Sequence, residues 1–191
     1  MRLHHACRLD SLTLFPLVTK RSDARGRTPL VTFDEGLRIC LVQVQRDTTR
    51  VLYREDLEDM EIDPDVAYFA ARQRLARLVA ARLISVRALR APQGPRCLVF
   101  QHSYLAASCL VLPNLFELAY AALEVDRMCA VVARRDLLTV LPDPGPGRHG
   151  LYPVVTLTGP MRRPSGEHTI SIDVSIDDEE TKQLPTATVS P

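Results

Sequence analysis

The chain has 191 residues, 46% of them hydrophobic and 25% charged, and a formal net charge of +1. These values suit a globular chain with one sizeable core, and the near-neutral total argues against a nucleic-acid binder held by bulk charge. No run approaches the about 18 apolar residues that a membrane span needs.

At the N-terminus, the apolar run Leu12 to Val18 is interrupted by Pro16 and lacks a small-residue cleavage site. It is therefore not read as a signal peptide, and the expected address is the cytoplasm. The five cysteines are Cys7, Cys40, Cys97, Cys109 and Cys129, with no C-x-x-C pair. An odd set placed mostly in strand-like runs fits buried free thiols in a reducing compartment, and no metal site or other cofactor is expected.

Charge is unevenly spread. Residues 1–54 hold ten bases and five acids, 55–65 hold seven acids and no base, and 66–135 hold ten bases and three acids. Adjacent blocks of opposite sign can compensate one another within one fold.

Lys20 to Arg27 reads as a basic, turn-rich loop. Leu37 to Gln45 is the first clear strand, Arg46 to Thr49 supplies a turn, and Arg50 to Tyr53 returns beside it as a hairpin. The acids Asp56, Asp59, Asp63 and Asp65 follow. Their spacing lacks the Gly and terminal Glu of a calcium loop, and capping of the next helix is the preferred reading.

That helix is predicted from Pro64 to Arg82. Tyr68, Ala71, Leu75, Leu78 and Val79 share a buried stripe, and Arg74 and Arg77 are expected to face water. Residues 83–89 read as a strand and 91–95 as a turn.

The most apolar stretch is Arg96 to Pro142. Strand-like runs at 97–100 and 108–112 lead into a helix at 115–123. Two further extended runs, 128–132 and 137–141, are separated by Arg134, Arg135 and Asp136. Charge there is costly unless paired or exposed, so the group is either a turn with Arg135 bonded to Asp136 or an anion site.

His102 lies near Ser108 and Cys109 in sequence, so a Ser/His or Cys/His pair is conceivable. No nucleophile elbow, dinucleotide fingerprint or P-loop is present. The Pro/Gly run 142–150 ends the compact unit. Beyond it, 151–157 reads as an edge strand, and 168–176 alternates strictly. Such a strand can pair within the chain or add to a partner's sheet. The tail from Asp177 is acidic, then rich in Pro, Thr and Ser, which predicts disorder.

Three segments resemble the YtpQ-like family of uncharacterised bacterial proteins. They are Leu52 to Met60 before the helix 71–78, the bend Ser103 to Ser108 leading into Leu110 to Pro113, and Ala130 to Leu138 with its Arg-Asp turn. Together they span residues 35–142. The resemblance implies a cytoplasmic α+β protein and supplies no reaction. It draws interest to Tyr104, Arg135 and Asp136.

The reading is an N-terminal strand/loop segment over 1–36, a single α+β domain over 37–160, and a C-terminal strand and tail over 161–191. The expected fold is a mostly antiparallel sheet with two main helices packed on one face. The expected function is a non-enzymatic adaptor that binds another protein through the strand 168–176 or a surface carrying Tyr104, Arg134, Arg135, Asp136, Arg74 and Arg77. A homodimer is one form such binding could take. The alternatives are a small hydrolase using His102 with Cys109 or Ser108, and an Arg-dependent nucleic-acid binder.

Overall fold

The strand β3, Leu37–Gln45, is buried on both of its faces along most of its length. A strand so placed needs partners on either side and cover above and below. In the computed structural model it is the centre of a four-stranded sheet. The structure describes residues 12–20, 26–33, 36–45, 48–90, 94–143, 145, 154–158 and 175–176.

β1, Leu14–Lys20, pairs antiparallel with β3 along its full length, from Leu14 opposite Gln43 to Lys20 opposite Leu37. On the other side of β3 lie the two-residue β2, Val31–Thr32, and β4, Thr48–Leu52, the return arm of the predicted hairpin. β1 is thus a sheet edge, and Pro16 is tolerated there. Val18, two residues on, turns its N–H away from β3, so the missing N–H of Pro16 is also on the unpaired side. The boundary at 36/37 falls inside this sheet, between β2 and β3.

The acidic run becomes a short helix, α1, Arg54–Asp59, followed by the long α2, Pro64–Ala80. Asp63 caps α2 as expected. Its Oδ1 accepts from the N–H groups of Asp65 at 2.9 Å and Val66 at 3.3 Å, and Pro64 occupies the first turn. The buried face carries Ala67, Ala71, Leu75, Ala76 and Val79, and rests on β1. Tyr68 and Leu78 pack at its margin. The helix ends as Arg82 enters the left-handed region at φ 57.

The second sheet has six strands in the order β10-β5-β6-β8-β7-β9. Its members are β5 Ser85–Arg90, β6 Arg96–Gln101, β7 Arg127–Arg134, β8 Leu137–Pro142, β9 Val154–Thr158 and β10 Ser175–Ile176. All pairs are antiparallel except β10 with β5. β9 is the predicted edge strand. Of the expected strand 168–176, only β10 lies within the described residues, and it pairs in the same chain. The acidic tail and most of the 142–150 run lie outside them.

α3, Leu115–Leu123, buries Leu115, Leu118, Ala119 and Leu123 against β6 and β8. The fold class is α+β with antiparallel sheets, as the sequence indicates. In place of one sheet there are two, and each main helix rests against a different one. The alternation of apolar residues says which face of a strand is buried, but it does not say which sheet the strand joins.

The stretch expected to be extended at 108–112 is instead part of a 3-10 helix, Ala106–Val111, with all six residues buried. A short apolar run has no period that separates a strand from a buried helical turn. Small residues at 106–109 let neighbouring backbones close in on every side. This helix touches β1 of the first sheet and β6, β7 and β8 of the second, as well as α2 and α3. Most of the buried apolar side chains of both sheets form one cluster around it. A smaller cluster, including Leu14, Leu41, Leu52, Leu57 and Ile62, lies under α1.

Three hydrogen bonds fix the 3-10 helix. The Val18 N–H donates to Ser108 Oγ at 3.2 Å, the Ala107 N–H donates to the Arg135 carbonyl at 3.0 Å, and Arg72 Nε donates to the Val111 carbonyl at 2.7 Å. The first satisfies an amide on the open side of β1. Ser108→Ala leaves that buried N–H without its acceptor, an expected loss of about 1–3 kcal/mol. Urea unfolding at constant m-value reads it. An unchanged midpoint would show that the hydroxyl does not carry the amide.

Candidate functional site

Ser108 and Cys109 sit inside the 3-10 helix and are buried. The Ser108 hydroxyl is engaged with the β1 backbone. Burial pushes the Cys109 thiol well above its ordinary range, and its sulfur lies 4.0 Å from the Leu105 carbonyl. His102 is exposed at the end of β6, in the left-handed region at φ 65. Among the described residues, no hydrogen bond joins His102 to either of them. A thiol held in its neutral form and a hydroxyl committed to structure are poor nucleophiles.

Tyr104 is exposed at the turn before the 3-10 helix, and partial burial raises its phenol above the usual value. Arg134, Arg135 and Asp136 form the β7–β8 turn. Within the turn Arg134 Nε lies 3.2 Å from Asp136 Oδ1, an ion pair the sequence did not single out. The strand pairing shifts register between Val132 and Arg134, a bulge that re-aims the side chains entering the turn. The Arg135 carbonyl meanwhile holds the 3-10 helix. All three side chains are exposed.

The arginines of α2 divide differently from the expectation. Arg74 does not simply face water: its Nη1 donates to the Leu12 carbonyl, tying the start of the first sheet to the helix. Arg72 bonds Val111 and lies 5.6 Å from the Tyr68 ring centroid. Arg77 is exposed.

With two arginines drawn onto the body of the protein, the outer face of α2 is left mostly apolar. Stepping 100° per residue from Val66 places Phe69, Ala70, Gln73, Arg77 and Ala80 within about 60° of it. Val66 is 55% exposed and Phe69 61%, and Leu83, just beyond the helix, is 65% exposed. Isolated apolar residues on a surface are ordinary, but a helical row of them with one charge is not. The sequence carried this signal in the same wheel that gave the buried stripe. Reading the opposite side as an arginine face concealed it.

A charged cluster binds the segment around Arg27 to α1. Arg27 Nη2 is 2.7 Å from Asp56 Oδ2, Arg50 Nη2 is 3.1 Å from Asp56 Oδ1, and the Tyr53 N–H donates to Asp56 Oδ2 at 2.8 Å. The Arg27 guanidinium lies 4.8 Å from the Tyr53 ring centroid, and the Thr28 N–H donates to Glu55 Oε1 at 2.9 Å. Burial pushes the Asp56 carboxyl up, and the Tyr53 amide and the two guanidinia more than reverse it, so it stays below the usual carboxylate range. The cluster neutralises itself and acts as a staple. The charge blocks 1–54 and 55–65 announce such compensation, but the approach of Arg27, 29 residues before Asp56, carries no local signal.

Among the described residues, no group of three or more His, Cys, Asp and Glu is placed to hold a metal ion. No helix among them is long and apolar enough to cross a membrane. Comparison of the chain with family models, curated proteins and solved structures gives no match.

The burial of Cys109 gives a direct chemical expectation. At neutral pH an alkylating reagent should leave Cys109 unmodified in the folded protein and modify it fully in denaturant, as read by mass spectrometry of the peptides. Rapid modification of Cys109 in the folded protein would contradict its burial and favour a catalytic thiol.

Proposed function

We propose that the chain is a non-enzymatic protein-binding module, an adaptor that seats a protein partner on the outer face of α2. The observation that carries this reading is the exposed pair Val66 and Phe69 at the start of this face, with Arg77 further along it. Burying a side chain such as Phe or Val contributes about 1.5–3 kcal/mol each when fully desolvated, and such rows dock into grooves on a partner. Arg77 adds a preference for a partner with a carboxylate near that groove.

A cytoplasmic address fits the four described cysteines, all of which are free thiols.

Capture of partners from cell lysate by the wild-type chain, Phe69→Glu and Val66→Glu tests the reading. Both substitutions are at exposed positions and should leave the unfolding midpoint within about 0.5 kcal/mol of wild type. A partner held by the wild type and reduced at least about tenfold by either substitution is expected, since one lost apolar anchor is worth that much. Partners retained equally by all three chains would overturn the proposal.

A further inference from the structure

The second sheet has two faces, and its own chain uses only one of them for the core described above. Leu98, Phe100, Leu138, Val140, Ala130 and Val155 belong to the apolar cluster around the 3-10 helix and α3. The residues between them project to the other side. There Arg87, Val99, Thr139, Val131 and Val154 stand in register across β5, β6, β8, β7 and β9. Leu89 faces Cys97 beside this row, and Leu141, Cys129 and Thr156 continue along it on β8, β7 and β9. Of these ten residues only Arg87 is charged, and it lies toward the β10 side of the sheet.

An antiparallel sheet with one face in water alternates apolar-in with polar-out. β6, β8 and β7 do not, since their outward positions are Cys97, Val99, Thr139, Leu141, Cys129 and Val131. None of these belongs to either apolar cluster. Among the described residues, α3 and the 3-10 helix pack with the inward positions, and α1 and α2 rest on the first sheet. Leu89 is exposed, and Thr139, Val131, Leu141 and Val154 are half-buried.

We propose that this outward face docks a second copy of the chain, the second sheets of the two copies packing face to face about a two-fold axis near Thr139. Thr139 is the middle residue of the row, on the strand with two described neighbours to either side. The area suits the occupant. Five strands at the usual spacing, each about six residues long, make a face of roughly 24 Å by 20 Å. Two such faces bury roughly 1,000 Å², the size at which a specific interface begins. The charge suits it too. A two-fold contact sets a face against itself, so any charge at its centre meets its like. Here the single charge is at the rim, and the centre has the composition of a homodimer core. Facing sheets pack about 10 Å apart with interdigitating side chains, a gap that Val, Leu, Cys and Thr can fill. This inference is independent of the binding face on α2, which rests on the first sheet.

The test is sedimentation velocity of the full chain from about 1 to about 200 µM, a range that brackets weak and moderate dimers. The wild type is compared with Thr139→Glu, Thr139→Arg, an equal mixture of the two, and Phe69→Glu. The expected result is a doubled mass for the wild type and for Phe69→Glu. Each Thr139 variant alone should dimerise at least about tenfold more weakly, because like charges meet at the axis. Mixing the two should restore the doubled mass, since glutamate then faces arginine, and this recovery shows that both variants are folded.

A wild type that stays monomeric throughout this range would overturn the proposal. Dimers of Thr139→Glu and Thr139→Arg as tight as the wild type would overturn it as well. A dimer lost in Phe69→Glu and kept in both Thr139 variants would assign self-association to α2 and overturn it too.

Discussion

The fold depends on burying one short piece of 3-10 helix, Ala106–Val111, between two sheets. A 3-10 turn leaves more backbone groups to satisfy than a long α-helix does, and here all six residues are buried. The neighbours answer with specific bonds: β1 through Val18 and Ser108, the β7–β8 turn through Arg135, and α2 through Arg72. Each of the three ties a different element to the same few residues. The apolar cluster that surrounds the helix contains side chains from both sheets. Two sheets that share no strand pairing are thereby made into one packed unit.

The arginines serve the same end. Arg72 and Arg74 bond main-chain carbonyls on other elements, and Arg27 and Arg50 converge on Asp56. A guanidinium suits such work because its five donors and planar shape let it reach a carbonyl or carboxylate while its stem stays packed. A chain with almost no lysine therefore need not be a binder of polyanions. The surface left over on α2 carries the exposed Val66 and Phe69, and this directs attention to protein partners.

Much of the fold was legible in the sequence for identifiable reasons. α2 was marked by Asp63-Pro64 at its start and by a stripe of period 3.6. The β3–β4 and β7–β8 hairpins were marked by β-branched runs on either side of polar turns. The 3-10 helix was not legible, because Ala106 to Val111 carries no period and its reason for curling lies in contacts made elsewhere. The partner of Arg74, the Leu12 carbonyl, is 62 residues away, so no local pattern could have turned that side chain inward. The division into two sheets was hidden for the same reason. The candidate site was only half legible: Arg77 was identified, while Val66 and Phe69 were passed over in favour of the arginines.

The claim that the buried 3-10 helix makes one cooperative unit of two sheets is tested most directly by residue-resolved unfolding. Hydrogen exchange in increasing urea can follow β3 of the first sheet and β8 of the second in the same sample. The account predicts that both lose protection together, with one midpoint and one dependence on denaturant. Separate transitions, with one sheet opening while the other stays protected, would contradict it.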